Sequence, residues 1–338
     1  MRVPSEEDNL EEYMTSNIMR ARQEYKPFEY PAAFEFYLAQ RRAHWSTDEI
    51  AMSKDIQDWN NNLLESERLV LGQILKSFVQ TETHVNEYWS QKVVKWFPKY
   101  EIVMMATTFA SFEAIHTEAY AYLNDSLGLT DYSAFLQDET AVAKLNRLQE
   151  VSGRSKRDIA RSLAIFSAFT EGVNLFSSFS ILMNLSRAPW NMLKGLNNIV
   201  SWSVRDESLH SQAGCWLFNQ LIKENPDIWD DELKKDVYDA ARLTVKLEDD
   251  FIDNAFSLGE IRGLDPKDLK NFIRMRANAK LKDLGLKTNW TNIDKESLDR
   301  MEWFDEKVNG RVLRDFFDTK VSEYEKCNFT LDNMFGDT

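Results

Sequence analysis

Cysteine, proline and glycine are all scarce in this chain of 338 residues, with two, seven and eleven copies. The two cysteines, Cys215 and Cys327, form no C-x-x-C pair, so a disulfide framework or a thiolate zinc site is excluded. Such cysteine usage fits a reducing compartment and makes a cytoplasmic location the expectation. So little glycine and proline leaves few turn signals, which argues against a fold of many short strands and for long helices. Positive charge is also short: 41 Lys and Arg stand against 55 Asp and Glu, a net charge of −14. The basic field that a nucleic-acid partner requires is missing. The opening MRVPSEEDNLEEYM is acidic and lacks the apolar run of a secretory signal.

What is present is enough apolar sequence for a large core, at 43% hydrophobic and 12% aromatic residues. From Ser162 to Ser186 the only charged residue is Glu171. The stretch is long enough to span a membrane, but its serines, Thr170, Asn174 and Asn184 favour a buried helix in a bundle, with no membrane partner. Helical periodicity covers 65–97 up to Pro98, then on to about Asn124, then 155–185, 191–224, about 230–257 and 266–283. WSTDEIAMSKD (45–55) has the form of a capped helix start, with Ser46 or Thr47 as cap and Glu49 nearby. Residues 7–24 read as an acidic, partly helical leader, and periodicity fades from about 320. Four helices longer than twenty residues predict an elongated all-α bundle.

The stretch EAIHTEAY (113–120) sets Glu113, His116 and Tyr120 on one face of a helix whose other residues there, Met105, Phe109 and Phe112, are apolar. A single Glu-x-x-His is commonly no more than a surface pair. Here a second copy, Glu207 and His210 in RDESLH, lies in the middle of another long helix. The two remaining long helices each carry one acid within an apolar run, Glu82 and Glu171. One Glu from each of two helices, plus Glu-x-x-His from each of two more, is the di-metal pattern of ferritin-like bundles. Carboxylate oxygens and imidazoles suit iron and manganese, and several carboxylates neutralise two divalent ions. His44 and His84 fall outside this pattern and read as structural or surface residues. Phe176 and Phe179, in the Glu171 stretch, are candidates to keep Tyr120 dry.

Over about residues 37–335 the chain resembles the small, radical-generating subunit of class I ribonucleotide reductase. FEAIHTEAY, FTEGVNLFSSF and VRDESLH carry the resemblance, with HWSTDEIAMSKDIQDW, FFDTKVSEYEK and FTLDNMF. It implies a ferritin-like domain over 1–320 and a flexible tail, 321–338, that docks on a large catalytic subunit. It implies a homodimer and a two-metal centre activated by O2. An iron pair comes first, with manganese–iron and dimanganese pairs as alternatives. The implied metal ligands are Glu82, Glu113, His116, Glu171, Glu207 and His210. Tyr120 is the implied radical site, and Trp45, Asp206 and Tyr324 the implied path to the partner. Two departures stand out. Glu82 occupies a position that is usually Asp; glutamate there also occurs in the manganese–iron branch, which lacks the tyrosine that this chain keeps as Tyr120. The segment between Tyr324 and the docking motif is short, and Gly336, Asp337 and Thr338 extend beyond it. A ferritin-like iron store and a di-iron oxidase or desaturase are the alternatives. The store has no use for Trp45, Tyr324 or the tail, and the oxidase needs a channel to the metals and no obligatory partner.

Overall fold

The computed structural model describes residues 17–133, 142 and 153–308. Among them there is no strand, and ten α-helices of eight residues or more account for the architecture. These are α1 (Pro31–Arg42), α2 (Ser53–Asn61), α3 (Glu65–Glu87), α4 (Tyr100–Ser126), α5 (Lys156–Leu163), α6 (Phe176–Asn184), α7 (Lys194–Glu224), α8 (Asp231–Ser257), α9 (Pro266–Asp283) and α10 (Lys295–Val308). The long α3 pairs with α4, while α7 packs on the α5–α6 segment. Contacts of α4 with α7 and of α3 with α6 close the ring of four. The helix α1 lies on α4, and α8, α9 and α10 cover the other side.

The long helices match the periodicity, with one informative difference. The run 155–185 is not one helix. After α5 it widens into a π-helical stretch, Ala164–Thr170, and then loses helical form over 171–175 before α6 begins. The Glu171 amide donates to the Phe166 carbonyl and the Asn174 amide to the Phe169 carbonyl, each one residue further back than in an α-helix. Every residue from 162 to 186 is buried, so the apolar run is core. Among the described residues no helix is long and apolar enough to cross a membrane. A second π-helical stretch, Tyr88–Val93, extends α3 toward Pro98. Of the expected leader, the described residues 17–24 form turns and irregular chain rather than helix, and the rest lies outside the described residues. Three helices escaped the periodicity, namely α1, α2 and α10.

Local chemistry explains the helix starts. Ser46 and Glu49 form the expected capping box, though on a single 3-10 turn, Thr47–Glu49. Ser155 and Asp158 form another at α5, and Asp230 caps α8 by accepting from the Leu233 amide. The helix α7, which carries Glu207 and His210, has no cap of its own. Its entry residue Leu193 sits in the left-handed region at φ 53°. The cap comes from α2 instead. Asp55 accepts from the amides of Gly195 at 3.1 Å and Leu196 at 2.8 Å, and Asp58 accepts from Leu193 at 3.2 Å. Removing Asp55 leaves two buried amides at this helix end without a partner. Asp55→Ala is therefore expected to cost about 1–2 kcal/mol in urea unfolding, near the upper end for a lost cap. An unchanged unfolding midpoint would show that water replaces the carboxylate.

Candidate metal centre

Each of the four walls contributes to one cluster. Helix α3 supplies Glu82, α4 supplies Glu113 and His116, and α7 supplies Glu207 and His210. Glu171 comes from the first residue after the π-helical stretch. All six are fully buried. They form two overlapping groups: Glu82, Glu113, His116 and Glu207, and Glu113, Glu171, Glu207 and His210. Within each group one donor atom per residue lies within 4.8 Å of all the others. Glu113 and Glu207 belong to both, which is the geometry of two adjacent ion positions bridged by two carboxylates.

Four carboxylates cannot all be ionised in such a space without cations. Burial, then repulsion by Glu207 and Glu113, pushes Glu82 and Glu171 well above the ordinary carboxylate range. Burial and the Glu113 charge also raise Glu207. Glu113 resists its own burial because His210 and His116 flank it, and it falls to about 2. Burial disfavours charge on His116, yet Glu113 and Asp206 hold its proton, so its pKa rises well above the usual value.

The donor atoms left without an aligned hydrogen bond are the ones a metal would take. Both oxygens of Glu82 and of Glu207, one each of Glu113 and Glu171, and Nδ1 of His210 are buried without an aligned hydrogen bond, and their close polar contacts are within the cluster itself, as between His210 Nδ1 and Glu113 Oε1 at 2.6 Å. Native interiors rarely leave so many polar atoms unsatisfied in one place. The outer faces of the ligands are satisfied. His210 Nε2 donates to Gln40 Oε1 at 3.1 Å and His116 Nε2 to Asp206 Oδ2 at 3.2 Å, turning both Nδ1 atoms inward. Trp89 donates its indole N–H to Glu171 Oε1 at 2.7 Å. The residues therefore fit a pair of divalent cations.

Asp206 has a second partner. The Trp45 indole donates to the same Oδ2 at 2.8 Å, and the Trp45 ring stacks on His116 with centroids 5.8 Å apart. Arg205 holds the other oxygen, Oδ1, and burial is outweighed by these bonds and charges, so Asp206 stays an anion. Tyr120 is fully buried one turn beyond His116, and its hydroxyl has no aligned partner. Burial, followed by the Glu82 charge, raises its pKa far above that of a free phenol. Phe78 packs edge-on against it at 5.0 Å, and Phe179 packs on Phe78 at 5.3 Å. Phe179 thus reaches Tyr120 through Phe78, while Phe176 faces Phe179 and Arg276 instead. His44 is exposed and His84 hydrogen-bonds within its own helix turn, away from the cluster. Tyr324 and the tail lie outside the described residues.

Gln40, Trp89, Phe78 and Arg205 went unread in the sequence. Trp89 carried a usable signal, since it follows Glu82 by seven residues, two helical turns on the same face. Gln40 carried none, because its helix was not anticipated.

The sequence profile of the family described as "Ribonucleotide reductase, small chain" matches residues 22–296. A protein of Invertebrate iridescent virus 3, named as a probable ribonucleoside-diphosphate reductase small subunit, is 34% identical over 95% of this chain and 89% of its own length. The chain belongs to the ribonucleotide reductase small-chain family. Solved members of similar fold include the R2 subunit from Clostridium botulinum, with a TM-score of 0.75 and 21% identity over 85% of this chain and 91% of that one. The Rnr4 homodimer from Saccharomyces cerevisiae aligns over 95% of this chain and 96% of its own, with a TM-score of 0.71 and 17% identity. An R2-like ligand-binding oxidase with a Mn/Fe cofactor gives a TM-score of 0.64 and 18% identity over 77% of this chain and 95% of that one. At these identities the structural likenesses speak for the fold, and the profile and the viral relative carry the family.

The protonation pattern gives a test of the cluster itself. In the metal-free small chain His116, Glu82, Glu171 and Glu207 have raised folded pKa values, so the folded state holds protons that the unfolded chain has released by neutrality. Their contribution to stability is present at low pH and is lost as pH rises through those values. Glu113 works the other way, but only as pH falls toward 2. Divalent ions must displace the held protons. Mn(II) titration calorimetry at pH 7, in two buffers of different ionisation enthalpy, is expected to show about two or more protons released per chain. Release of none would mean that the cluster is already ionised and takes up no metal in the way the geometry indicates.

Proposed function

We propose that this chain is the radical-generating small subunit of a class I ribonucleoside-diphosphate reductase. The observation that carries the reading is the line Trp45 Nε1–Asp206 Oδ2–His116 Nε2, at 2.8 and 3.2 Å, which ends on the carboxylate–histidine cluster. An iron store or an oxidase working within its own pocket has no use for a buried indole joined to a metal ligand. The two overlapping groups support the six ligand roles. Glu82 and His116 would hold one ion, Glu171 and His210 the other, and Glu113 and Glu207 would be shared.

When bound, the metal pair supplies a one-electron oxidant by reaction with O2. Tyr120 gives up one electron and its hydroxyl proton and becomes the stored radical. Its surroundings suit storage: Phe78 and Phe179 exclude water from the phenol. Glu82 is the acid whose charge acts most on the phenol. Asp206 keeps His116 in the tautomer that points Nδ1 at the metal, and aligns Trp45 for electron transfer. From Trp45 the oxidising equivalent passes by way of Tyr324 to the large subunit, where the ribonucleotide loses its 2′-hydroxyl.

The remaining roles rest on the family resemblance. Residues 1–320 act as one ferritin-like domain, and 321–338 as the tail that tethers the large subunit. The chain assembles as a homodimer, the form in which the yeast relative Rnr4 was solved, and it works in the cytoplasm. An iron pair is the proposed metal content. The same oxygen and nitrogen donors accept manganese, so ligand type alone does not separate the two.

Two experiments test this function. Tyr120→Phe removes one hydroxyl and should keep the fold and metal stoichiometry. After addition of Fe(II) and air, the wild type should show the sharp tyrosyl absorption band and paramagnetic resonance signal, and the variant should lack both. Full turnover by the variant with its large subunit would place the oxidising equivalent on the metals and overturn the role of Tyr120. Deleting residues 326–338 should leave metal content and the Tyr120 signal intact but weaken binding to the large subunit at least about a hundredfold, if Phe329, Leu331 and Phe335 are the anchors that supply about 3 kcal/mol. A truncated chain that binds and turns over normally would remove the docking role from the tail.

A further inference from the structure

The broken helix that carries Glu171 is held from outside by one side chain. Gly172 is the next residue, and its carbonyl has lost its helical donor. The amide that would bond it, Phe176 N–H, bonds Val173 instead at 3.1 Å. Arg276 of α9 takes its place, and its Nε and Nη2 both donate to the Gly172 carbonyl, at 3.0 and 2.8 Å. The guanidinium also lies flat over Phe176, its Cζ 3.4 Å from the ring centroid. One planar group thus grips the carbonyl at 172 and the ring at 176, the two ends of the non-helical turn.

Placing this cation here is costly for the fold. Arg276 is 94% buried, since 6% of it is exposed, and burial lowers its pKa to about 9. Among the described residues no ion pair to it is seen, and Asp305 and Asp283 act on it only at longer range. The seam around the turn is tightly packed. A Cβ at Gly172 would stand 2.3 Å from the Ala168 carbonyl oxygen and 2.6 Å from Ser211 Oγ. At Gly214 of α7, a Cβ would stand 1.8 Å from Ser167 Oγ. The lack of a side chain at Gly214 lets the Ser167 side chain of the π-helical stretch seat directly on α7, and Arg276 closes the turn from the other side.

We propose that Arg276 is a positioning residue for the metal centre: by clamping the turn after Glu171, it aims that carboxylate at the ion position it shares with His210. The proposal rests on the reading of Glu171 as a ligand. Without the guanidinium, the Gly172 carbonyl is a buried acceptor with no donor, and the turn is free to recoil into α-helix, which rotates Glu171 about the helix axis. The Glu82 and His116 side, held by α3 and α4, is not touched by this change.

The test uses the full-length chain and Mn(II), with a chelator in competition and free Mn(II) read by paramagnetic resonance. Arg276→Met keeps the bulk and removes the donors, and is expected to weaken one of the two Mn(II) sites at least tenfold and leave the other within twofold. Amides of residues 172–176 should exchange at least tenfold faster, with the rest of the bundle unchanged. Arg276→Lys, which still offers a donor to the carbonyl, should restore the weak site to within about threefold of the wild type. If Arg276→Met does not fold, Arg276→Gln is read in the same way. Two intact Mn(II) sites in the Met variant, or equal loss at both with faster exchange throughout, would overturn the proposal. Glu171→Ala separates the two layers of the argument. If it spares both sites, Glu171 is no ligand and the clamp has nothing to aim. If it removes one site while Arg276→Met removes none, the ligand stands and only the clamp fails.

Discussion

Everything in this molecule answers to the mutual repulsion of four carboxylates sealed in one apolar interior. Glu82, Glu113, Glu171 and Glu207 are all fully buried, and their donor atoms crowd into two groups no more than 4.8 Å across. No hydrophobic gain repays ionised acids left unpaired at that depth. Two imidazoles relieve part of the strain, and protons relieve more. A pair of divalent cations relieves the rest, and it alone uses the inward-facing oxygens and nitrogens that the protein leaves without hydrogen bonds. Folding and metal binding are for that reason one linked equilibrium.

A regular four-helix bundle would not by itself put six ligands at one level. Helix α4 does it simply, with Glu113 and His116 one turn apart, and α7 repeats the device. The wall that carries Glu171 does not. Its chain is widened into a π-helical stretch and then opened, with the Glu171 amide bonded five residues back. Such a distortion needs external support, because each shifted or lost helical bond leaves a buried polar group. The support comes from the Ser167 side chain seated on Gly214 on one side and from Arg276 on the other. The helix start at Leu193 likewise borrows its cap from Asp55 and Asp58. The elements that look peripheral, α2 and α9, are the ones that set the positions of site residues on α7 and the Glu171 turn.

This division explains what could be read from the sequence. Glu113–His116 and Glu207–His210 are local pairs at fixed spacing, so helical periodicity alone reveals them. Glu82 and Glu171 stand out as acids in apolar runs, because a lone acid in such a run needs a reason. The long helices were legible for the same cause: few glycines and prolines interrupt their pattern. What was hidden depends on neighbours that only folding supplies. Gln40 on His210, Trp89 on Glu171 and Arg276 on Gly172 join residues from separate helices, and no spacing rule links them. The break after Glu171 was hidden as well, since AFTEGVNLF has no residue that forbids helix. It is imposed by packing. The three missed helices are short or flanked by irregular chain, where periodicity has too few turns to register.

The hydrogen bonds around the ligands also sort them into fixed and free. His116 is held by Asp206, His210 by Gln40, and Glu171 by Trp89 through one oxygen. Glu82 and Glu207 have no aligned bond on either oxygen. A ligand tied from behind keeps its orientation through a change of metal charge, and an untied one can pass from one bound oxygen to two. The fixed ligand His116 is the one joined to Trp45 through Asp206, where electron transfer benefits from constant geometry. Glu82 is the acid whose charge bears most on the Tyr120 phenol, so the way its carboxylate is held changes the cost of ionising that phenol.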